Sequence, residues 1–388
     1  MMVRIMTLDH GTFTLPDNIL NDRRYSTLVK ILWLAHRDPM NPKAGGAERT
    51  IYEVCTRLTQ KGHSITIIAA SWSNSPSHSE LEGVEIIRPG GNVYLHLFIP
   101  IFLLSNKFDI VVNDLGHAIP WPSASLFCKN NIVFFRHLHA RSLPGQVSSI
   151  LATLITVVEK CYFLIYRRIP FVTESTTSRK DLLDLGIKNE EIFMNPPGVD
   201  KHLFCPTKKT ENPSIVYFGG MRKYKRPDES IYLLWSLSQK IQGIKLVIIG
   251  EGLEKINLER LSIKLNLRDS IIFTGRISDE ELSRTVSSSW LNVHSSVTEG
   301  WGLSILEASS AGTPTVAYEV PGVVDVIENG INGMKVKDGD RKALYRAALE
   351  ILSDPERWWS SAIEVAKKYS WDQTAEMWND LIHEVANQ

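Results

Sequence analysis

Short apolar runs alternate with amphipathic segments along the chain. The run KILWLAH at residues 30–36 leads through a glycine-containing loop into a helical pattern at residues 47–62, and then into a second run, SITIIAAS, at residues 64–71. A strand, a helix and a strand in this order need a crossover and predict neighbouring parallel strands. Further strands are predicted at residues 84–88, 109–113, 131–137 and at the start of 171–186, where a turn and a capped helix follow.

The alternation restarts after residues 194–213, which are rich in proline and lack periodicity. Five more strands are predicted, at residues 214–220, 244–250, 270–275, 290–296 and 314–319, and nearly all end in Gly or Ser. This pattern predicts a doubly wound parallel sheet, in which ligands bind at the carboxyl ends of the strands.

The domain organisation follows from length and from this break. A chain of 388 residues is long for one hydrophobic core. We therefore predict an α/β protein with an N-terminal extension (1–28), an N-terminal Rossmann-like domain (29–200), a C-terminal Rossmann-like domain (201–369) and a final amphipathic helix (370–388).

Composition narrows the class of protein. Basic and acidic residues number 43 each, so no nucleic-acid partner is predicted. The four cysteines, Cys55, Cys128, Cys161 and Cys205, lack metal-ligand or redox spacing and are predicted to be buried in a protein of the reducing cytoplasm. The opening residues do not resemble a signal peptide. The apolar stretches at 93–104 and 150–166 are too short or too charged to span a bilayer.

Two carboxylates eight positions apart mark the segment SSVTEGWGLSILEASSAG at residues 295–312. Its glycine turn delivers the amides after Gly302 to a helix N-terminus, which suits an anion such as a diphosphate. Glu299 would then accept hydrogen bonds from hydroxyls beyond the phosphate, and Glu307 would suit a ribose diol. The alternative is that Glu299 is a carboxylate stabilised by the helix dipole and that Glu307 is a solvated helix residue.

The stretch EGWGLSILE resembles the E-x7-E signature of retaining glycosyltransferases with the GT-B fold, two facing Rossmann-like domains with a cleft between them, most closely glycosyltransferase family 4. The resemblance extends over most of the chain from about residue 30. It includes AGGAE (44–48), TESTTSRKDLLDLG (173–186), MNPPGVD (194–200), YFGGMRKYKRPD (217–228), IIGEG (248–252), FTGRIS (273–278) and GTPTVAYEVPGVVDVIENGING (312–333).

The resemblance implies roles for particular residues. Glu299 binds hydroxyls of the donor sugar, Glu307 binds the ribose of a nucleotide, and Lys225 binds the donor diphosphate. Further donor contacts are implied for Gly45, Gly46, Gly219, Gly220, Arg276, Ile277, Gly300, Trp301, Gly302, Leu303 and Ser304.

One departure from the family concerns the second cation. The family usually has Gly-Arg after the strand, whereas this chain has Gly219-Gly220 and carries Arg222 two positions later. Either Arg222 supplies the second positive charge, or Lys225 and the backbone amides act without it. A simpler interpretation is that the basic run at residues 222–226 is only solvated.

His137 matches the family histidine at a strand end that contacts the sugar or the acceptor near the reacting carbon. His139 is the alternative if the register is off by two, and a structural role is the alternative for either. Gly45 and Gly46 resemble the loop that closes over the donor, or form a plain helix-start turn. Gly322 resembles a second glycine turn near the donor.

The implied activity is retaining transfer of a hexosyl group from a nucleotide diphosphate sugar, of the UDP-glucose or GDP-mannose type, to a hydroxyl of a glycan or lipid-linked acceptor. The resemblance implies that neither a metal nor another cofactor is needed. The alternatives are a sugar phosphorylase of the same architecture, which would use pyridoxal phosphate, and an inactive nucleotide-sugar-binding module.

The acceptor is expected against the first domain, where residues 93–104 and 147–169 are apolar. Arg167 and Arg168 lie near Tyr162, Phe163 and Tyr166 in the sequence. Such a basic aromatic helix is expected to lie peripherally on an anionic membrane surface, at the inner face of the membrane. The alternative is that it is an ordinary core helix.

Overall fold

The computed structural model describes residues 28–387 except Ala118 and residues 144–146. The predicted N-terminal extension at residues 1–28 lies outside the described residues apart from Leu28.

The first sheet has eight strands. They are β1 (Lys30–Leu34), β2 (Ser64–Ile68), β3 (His78–Leu81), β4 (Val84–Ile87), β5 (Ile110–Asp114), β6 (Asn131–Phe135), β7 (Phe171–Thr173) and β8 (Ile192–Met194). Their order across the sheet is β3-β4-β2-β1-β5-β6-β7-β8, and all neighbours are parallel except β3 and β4. The carboxyl ends of β1, β5, β6 and β7 therefore meet at one rim.

The second sheet has six parallel strands. They are β9 (Ser214–Phe218), β10 (Lys245–Ile249), β11 (Ile271–Gly275), β12 (Leu291–His294), β13 (Thr315–Tyr318) and β14 (Gly333–Val336). Their order is β11-β10-β9-β12-β13-β14, so the chain reverses direction across the sheet between β9 and β12. Ligands of such sheets bind at this reversal point. The predicted α/β class with two doubly wound sheets is confirmed.

Fourteen α-helices occur in the described part of the chain. They are α1 (Gly46–Gln60), α2 (Asn92–Ser105), α3 (Ala124–Phe127), α4 (Ser149–Lys160), α5 (Tyr162–Ile165), α6 (Thr176–Asp184), α7 (Asp228–Ser238), α8 (Lys255–Lys264), α9 (Asp279–Ser288), α10 (Leu303–Ser310), α11 (Val323–Val326), α12 (Arg341–Ser353), α13 (Pro355–Ala366) and α14 (Trp371–Ala386). Ser175, Ser278 and Ser370 cap α6, α9 and α14 by accepting a hydrogen bond from an amide of the first turn.

Helices cover both faces of the first sheet. On one face Trp378 of α14 packs against Trp33 and Phe134, with ring centroids 5.0 and 5.1 Å apart. On the other face Leu95 of α2 and Tyr162 of α5 are buried. Burial of an apolar side chain of this size contributes about 2–3 kcal/mol, so α14 is held against the first sheet although it follows the second sheet in the chain.

Three short strands escaped the sequence prediction. β3 and β4 form a hairpin whose turn residues, Glu82 and Gly83, have positive φ angles of 49° and 82°. β3 is half exposed and so lacks an apolar run, while β8 and β14 are only three and four residues long. Edge strands of this kind carry little periodic signal.

The prediction that all four cysteines are buried is wrong for two of them. Cys55 and Cys128 are buried, Cys161 is partly buried and Cys205 is exposed, and all four are free thiols. Cys205 lies in the irregular segment between the two sheets, where no apolar pattern calls for burial.

The expectation of a basic aromatic surface at residues 147–169 needs correction. Tyr162 and Tyr166 are fully buried in the core, and Tyr166 Oη accepts a hydrogen bond from the amide of Trp121 at 2.6 Å. Among the side chains of this segment that the structure describes, the exposed large apolar ones are aliphatic, for example Ile150 and Leu154. Among the helices of the described residues, none is long and apolar enough to cross a membrane.

Candidate active site

The segment after β12 forms a glycine turn that leads into α10. Gly302 is the N-cap of α10 and has a φ of 103°, a left-handed conformation that glycine adopts without strain. The first amides of a helix have no partner within it, so the N-terminus of α10 offers free donors and the positive end of a dipole. This end of α10 lies at the carboxyl rim of the second sheet, beside the reversal between β9 and β12.

Glu299 is held in this turn by two groups. Its Oε1 lies 2.5 Å from Nζ of Lys225, in the turn after β9, and 3.2 Å from Nε2 of His294 at the end of β12. Burial alone would raise the pKa of Glu299, but the ammonium of Lys225 and the imidazole of His294 keep it well below its usual range. The pKa of Lys225, which burial would lower, is raised by Glu299. The pair is therefore charged at neutral pH.

Gly322 supports the backbone beneath this pair. A Cβ at Gly322 would lie 2.5 Å from the carbonyl oxygen of Glu299, and its φ of 81° also favours glycine. The amide of Gly322 donates to Oγ1 of Thr177 in α6 at 3.0 Å. The second glycine turn thus fixes Glu299 and touches the first domain.

The first sheet contributes a buried ion network that the sequence interpretation missed. The guanidinium of Arg136, after β6, donates to Asp114 and Glu174 at 2.9 Å each and to the carbonyl oxygen of Ala47 at 3.1 Å. A Cβ at Gly300 would lie 3.0 Å from Glu174 Oε2. This network therefore braces the loop that carries Glu299. Its only signal in the sequence is the position of its members at strand ends.

His137 and His139 have different surroundings. His139 lies 3.2 Å from Glu159 through Nδ1 and 3.2 Å from the carbonyl oxygen of Gly116 through Nε2. His137 Nδ1 is buried without a hydrogen-bond partner. Burial lowers the pKa of His137 to about 3, with a further lowering from His139 and an opposing effect of Glu299. Of the two candidates, His137 is the one with a buried ring nitrogen that has no hydrogen-bond partner, and Glu299 influences its pKa.

The first loop meets the N-terminus of α10. The amide of Gly45 donates to Glu48 Oε2 at 2.7 Å, and a Cβ at Gly46 would lie 3.1 Å from Leu303 Cδ1. The two glycines thus form a helix start, and they also allow close approach between the loop and α10. Glu307, one turn further along α10, has its pKa raised to about 7 by burial, which Arg49 partly opposes.

Three other predicted residues, Arg222, Gly219 and Gly220, lie in the turn after β9 that also carries Lys225. Arg222 is exposed, and its guanidinium forms no hydrogen bond or ion pair with the residues that the structure describes. Its charge nevertheless affects Lys225, whose pKa it lowers after the larger effects of burial and Glu299. Gly219 and Gly220 complete the same turn, where the carbonyl oxygen of Gly219 would lie 2.1 Å from a Cβ at Gly250.

The basic run at residues 222–226 is not uniformly solvated. Lys223 is exposed, but Arg226 donates to the carbonyl oxygens of Ser295 and Ser296 at 2.6 and 2.9 Å and pairs with Asp338 at 2.6 Å. Arg226 therefore ties the turn after β9 to the end of β12, which sets the distance between Lys225 and Glu299.

The side chains of the remaining predicted residues pack against, or hydrogen-bond with, other parts of the protein. Trp301 is buried and packs edge-on against Tyr369 at 5.4 Å, and Ser304 Oγ lies 3.2 Å from His294 Nδ1. Arg276 donates to the carbonyl oxygens of Pro42 and Ala44 in the first domain. Ile277 is partly buried against the second core. The indole Nε1 of Trp301 is buried without a hydrogen-bond partner. Contacts of the other three with a ligand would fall mainly to backbone atoms.

The arrangement brings two chemistries together. A helix N-terminus, an ammonium and an unpaired guanidinium suit an anion, while the ionised Glu299 next to them accepts hydrogen bonds from hydroxyls. Within the described residues, no group of three or more His, Cys, Asp or Glu side chains is arranged to hold a metal ion.

Comparisons with known proteins agree with this geometry. A family model described as Glycosyltransferase Family 4 matches residues 44–203, and one described as Glycosyl transferases group 1 matches residues 200–368. One subunit of the human phosphatidylinositol N-acetylglucosaminyltransferase is 22% identical over 369 residues, which cover 86% of this chain and 72% of the relative.

Solved structures share the whole architecture. Sucrose-phosphate synthase from Thermosynechococcus elongatus matches with a TM-score of 0.79 and 21% identity, over 92% of this chain and 98% of that one. Anabaena HepE in complex with UDP and glucose matches with a TM-score of 0.73 and 17% identity, over 92% and 100%. The chain belongs to the GT-B glycosyltransferases of family 4.

Proposed function

We propose that the protein transfers a hexosyl group from a nucleotide diphosphate sugar, of the UDP-glucose or GDP-mannose type, to a hydroxyl of a glycan or lipid-linked acceptor, with retention and without a metal ion. The observation that carries this proposal is the ion pair of Lys225 and Glu299 beside the N-terminus of α10. UDP and glucose in the related HepE and the lipid named in the human relative are consistent with it.

The donor diphosphate would bind between Lys225, Arg222 and the first amides of α10. When the bond from the anomeric carbon to the phosphate oxygen breaks, negative charge grows on that oxygen. A fixed donor aimed at such a charge lowers the barrier by about 3 kcal/mol. Glu299 would exchange its contact with Lys225 for hydroxyls of the sugar. Both residues of the ion pair would then contact the donor, Lys225 at the diphosphate and Glu299 at the sugar.

Retention is proposed to follow from attack on the face that the leaving phosphate occupies. The acceptor oxygen bonds to the anomeric carbon as the phosphate leaves, and the acceptor proton passes to the phosphate oxygen. The surrounding carboxylates support this route, because Asp114 and Glu174 are tied to Arg136, and Glu299 is proposed to exchange its contact with Lys225 for the sugar hydroxyls. His137 would lie at the sugar, with its unpartnered Nδ1 available to a hydroxyl.

Donor binding can be tested without knowing the acceptor. A ligand that binds only the folded state at 100 times its dissociation constant stabilises it by about 2.7 kcal/mol. We expect one of UDP, GDP or dTDP, with its sugars, to raise the melting temperature clearly above the others. If none of them shifts the unfolding transition, the proposed donor class is wrong.

Nucleotide binding is expected to weaken as the pH falls. Burial raises the pKa of Glu307 to about 7, and the ionised carboxylate is the better acceptor for two ribose hydroxyls. Below this pKa, binding must first remove the proton, so the dissociation constant should rise towards tenfold per pH unit. Calorimetric titration of the stabilising nucleotide between neutral and mildly acid pH measures this, and Glu307→Gln is the control.

The Glu307→Gln profile is expected to keep only the titration of the nucleotide phosphate itself. A wild-type profile that matches the profile of this variant would show that Glu307 does not bind the ribose.

The lipid-linked acceptor is supported by an apolar stripe on α2. Val93, Leu97, Ile101 and Leu104 recur at helical spacing, and each is more than 60% exposed. On α4 and α5, Ile150, Leu154, Val157 and Leu164 are each more than half exposed. We refer to these eight residues as the apolar face. We propose that it docks on an anionic membrane surface, on the cytoplasmic side.

Charge complementarity favours an anionic membrane over a protein as the occupant. Lys107, Lys160, Arg167 and Arg168 are exposed around the apolar face. The acidic residues between positions 92 and 168 are three, and Asp114 and Glu159 of these are buried. Basic residues around inserted apolar side chains are typical of proteins that rest on anionic lipid.

Flotation with phosphatidylglycerol vesicles tests this docking. The double variant Leu97→Glu, Ile101→Glu is expected to lose vesicle binding and to keep the wild-type melting temperature, because both side chains are exposed. The matched control is Leu253→Glu in the second domain, where the leucine is 94% exposed. Equal flotation of the double variant and the wild type would contradict the proposal, as would equal binding to neutral phosphatidylcholine.

A further inference from the structure

Five histidines form a row at the carboxyl rim of the first sheet, four of them after its strands and one in a neighbouring helix. His36 follows β1, His117 follows β5, and His137 and His139 follow β6, while His96 lies in α2. Because β1, β5 and β6 are neighbours, their ends bring these side chains together. We call these five residues the imidazole row.

The rings at one end of the row are stacked. The ring of His36 lies 4.5 Å from His117 and 5.6 Å from His96, measured between centroids. Trp121 closes the group, 4.4 Å from His36 and 4.5 Å from His96. Trp121 is fully buried, whereas His96 and His117 are partly exposed. The stack is therefore closed at Trp121 and accessible to solvent at His96 and His117.

The other end of the row continues towards the reaction centre. His139 lies 3.2 Å from the carbonyl oxygen of Gly116, next to His117. The ring of His137 follows 4.9 Å from that of His139, and its pKa is influenced by Glu299. The row therefore leads from α2, which carries the apolar stripe, to the candidate active site.

Four ring nitrogens of the row are buried without a hydrogen-bond partner: Nδ1 and Nε2 of His36, Nε2 of His96 and Nδ1 of His137. His36 is only 4% exposed. Buried polar atoms of this kind are uncommon in folded proteins and call for a partner.

The chemistry of that partner follows from the protonation state of the rings. Burial lowers the pKa of His36 to about 2 and that of His117 to about 4, with smaller contributions from neighbouring imidazoles and Arg37. A neutral imidazole has one N–H donor and one nitrogen acceptor. A hydroxyl also donates and accepts, so a row of neutral imidazoles matches a series of hydroxyls.

We propose that the imidazole row binds the head group of the acceptor, an uncharged sugar or polyol carried on an apolar chain. Its hydroxyls exchange hydrogen bonds with the unpartnered ring nitrogens, and the chain leaves along α2 to the apolar face. This inference rests on the proposed function and adds to it the position and the chemical class of the acceptor.

An anionic head group fits this site less well. Arg37 lies near His36 and His117, but its Nε pairs with Glu48 at 2.9 Å. The charge of Arg222 acts on both His117 and Lys225, and we assign this guanidinium to the donor diphosphate. A metal ion does not fit either, because no three of these side chains converge as metal ligands within the described residues.

The proposal is tested with n-octyl β-D-glucoside, a polyol on an apolar chain, below its micelle concentration. The full chain is labelled at the Cε1 atoms of histidine and saturated with the nucleotide that stabilises it most. We expect the NMR signals of His36, His96 and His117, assigned by single substitutions, to shift on titration. Octyl phosphate, with the same chain and an anionic head, is expected to leave them in place.

Ring substitutions give a second readout. His117→Phe and His96→Phe keep a flat ring and remove its nitrogens, and each is expected to weaken octyl glucoside about tenfold, the effect of a lost hydrogen bond. His202→Phe, at an exposed position outside the row, is the matched control and should not change this affinity. Nucleotide affinity is expected to stay within about twofold in all three.

Three results would overturn the proposal: unshifted histidine signals with octyl glucoside, equal shifts with octyl phosphate, or unchanged glucoside affinity in both ring variants. In each case, nucleotide binding by the wild type leaves the proposed function intact. If no nucleotide or nucleotide sugar binds, the proposed function itself fails.

Discussion

Replacing Glu299 by glutamine is expected to lower kcat for glycosyl transfer by about 10²–10³-fold, the range found when a charge-stabilising group of an active site is removed. Glutamine has nearly the same shape but no charge, so it holds the donor sugar less firmly. The ion pair at 2.5 Å is lost at the same time. Initial rates at saturating donor, measured as release of the nucleoside diphosphate, give this number.

The same variant should bind the nucleoside diphosphate as well as the wild type does, or more tightly. In the wild type Lys225 is engaged with Glu299, and without that partner it is free for the diphosphate. A loss of kcat with preserved nucleotide affinity identifies an interaction of the sugar in the transition state. Glu350→Gln, at an exposed position of α12, is the matched control. A Glu299→Gln variant with wild-type kcat would remove Glu299 from the mechanism.

Replacing Lys225 by alanine is expected to reduce kcat by a similar factor, about 10²–10³, and to weaken nucleoside diphosphate binding as well. The ammonium is proposed to neutralise the charge that grows on the leaving phosphate. Its removal also leaves Glu299, whose side chain is only 13% exposed, without its main counter-ion. Rates and calorimetric affinities together separate this variant from Glu299→Gln, in which only the rate falls.

A pH profile gives the Lys225→Ala variant a second signature. In the wild type Lys225 and His294 hold the pKa of Glu299 well below its usual range against the effect of burial, so Glu299 stays ionised through mildly acid pH. Without Lys225, burial dominates and raises this pKa. The residual activity of the variant should therefore fall as the pH is lowered, at a higher pH than in the wild type.

Lys223→Ala is the control for Lys225→Ala. Lys223 lies two residues away in the same turn, is exposed and carries the same charge. Its removal is expected to change kcat by less than about twofold. Equal losses in the two variants would mean that the basic run acts only through its overall charge.

The centre of the candidate site was predictable because its members are close in sequence. Glu299 and Gly302 belong to the turn before α10 and Glu307 to the helix itself, so spacing alone places all three near the first turns of this helix. The strand ends could also be predicted, since a buried parallel strand is a short apolar run. These local patterns were sufficient for the two-sheet architecture.

The partners of these residues could not be predicted in the same way. Arg136 is 22 positions from Asp114 and 38 from Glu174, and their network forms only when the ends of β5, β6 and β7 meet. The contact between Lys225 and Glu299 joins two strand ends of the second sheet, 74 positions apart. Such contacts depend on strand order, which hydrophobic periodicity does not specify.

The imidazole row of the first domain also depends on strand order and could not be predicted from the sequence. His36, His96 and His117 are scattered along the sequence, and none of them has a motif around it. Only the order β1-β5-β6 and the packing of α2 make them neighbours. The same packing leaves the apolar stripe of α2 exposed. The sequence identified residues 93–104 as an apolar stretch near the acceptor but did not show which of its side chains are exposed.

The most direct test of the central claim is the anomeric form of the sugar released from the donor. With water as the acceptor, the wild type is incubated with UDP-glucose or GDP-mannose, whichever binds, and the first product is followed by proton NMR before mutarotation. A retaining transferase releases the α anomer together with the nucleoside diphosphate, and Glu299→Gln should release neither at a comparable rate. Initial release of the β anomer, or no turnover of any nucleotide sugar that binds, would contradict the account.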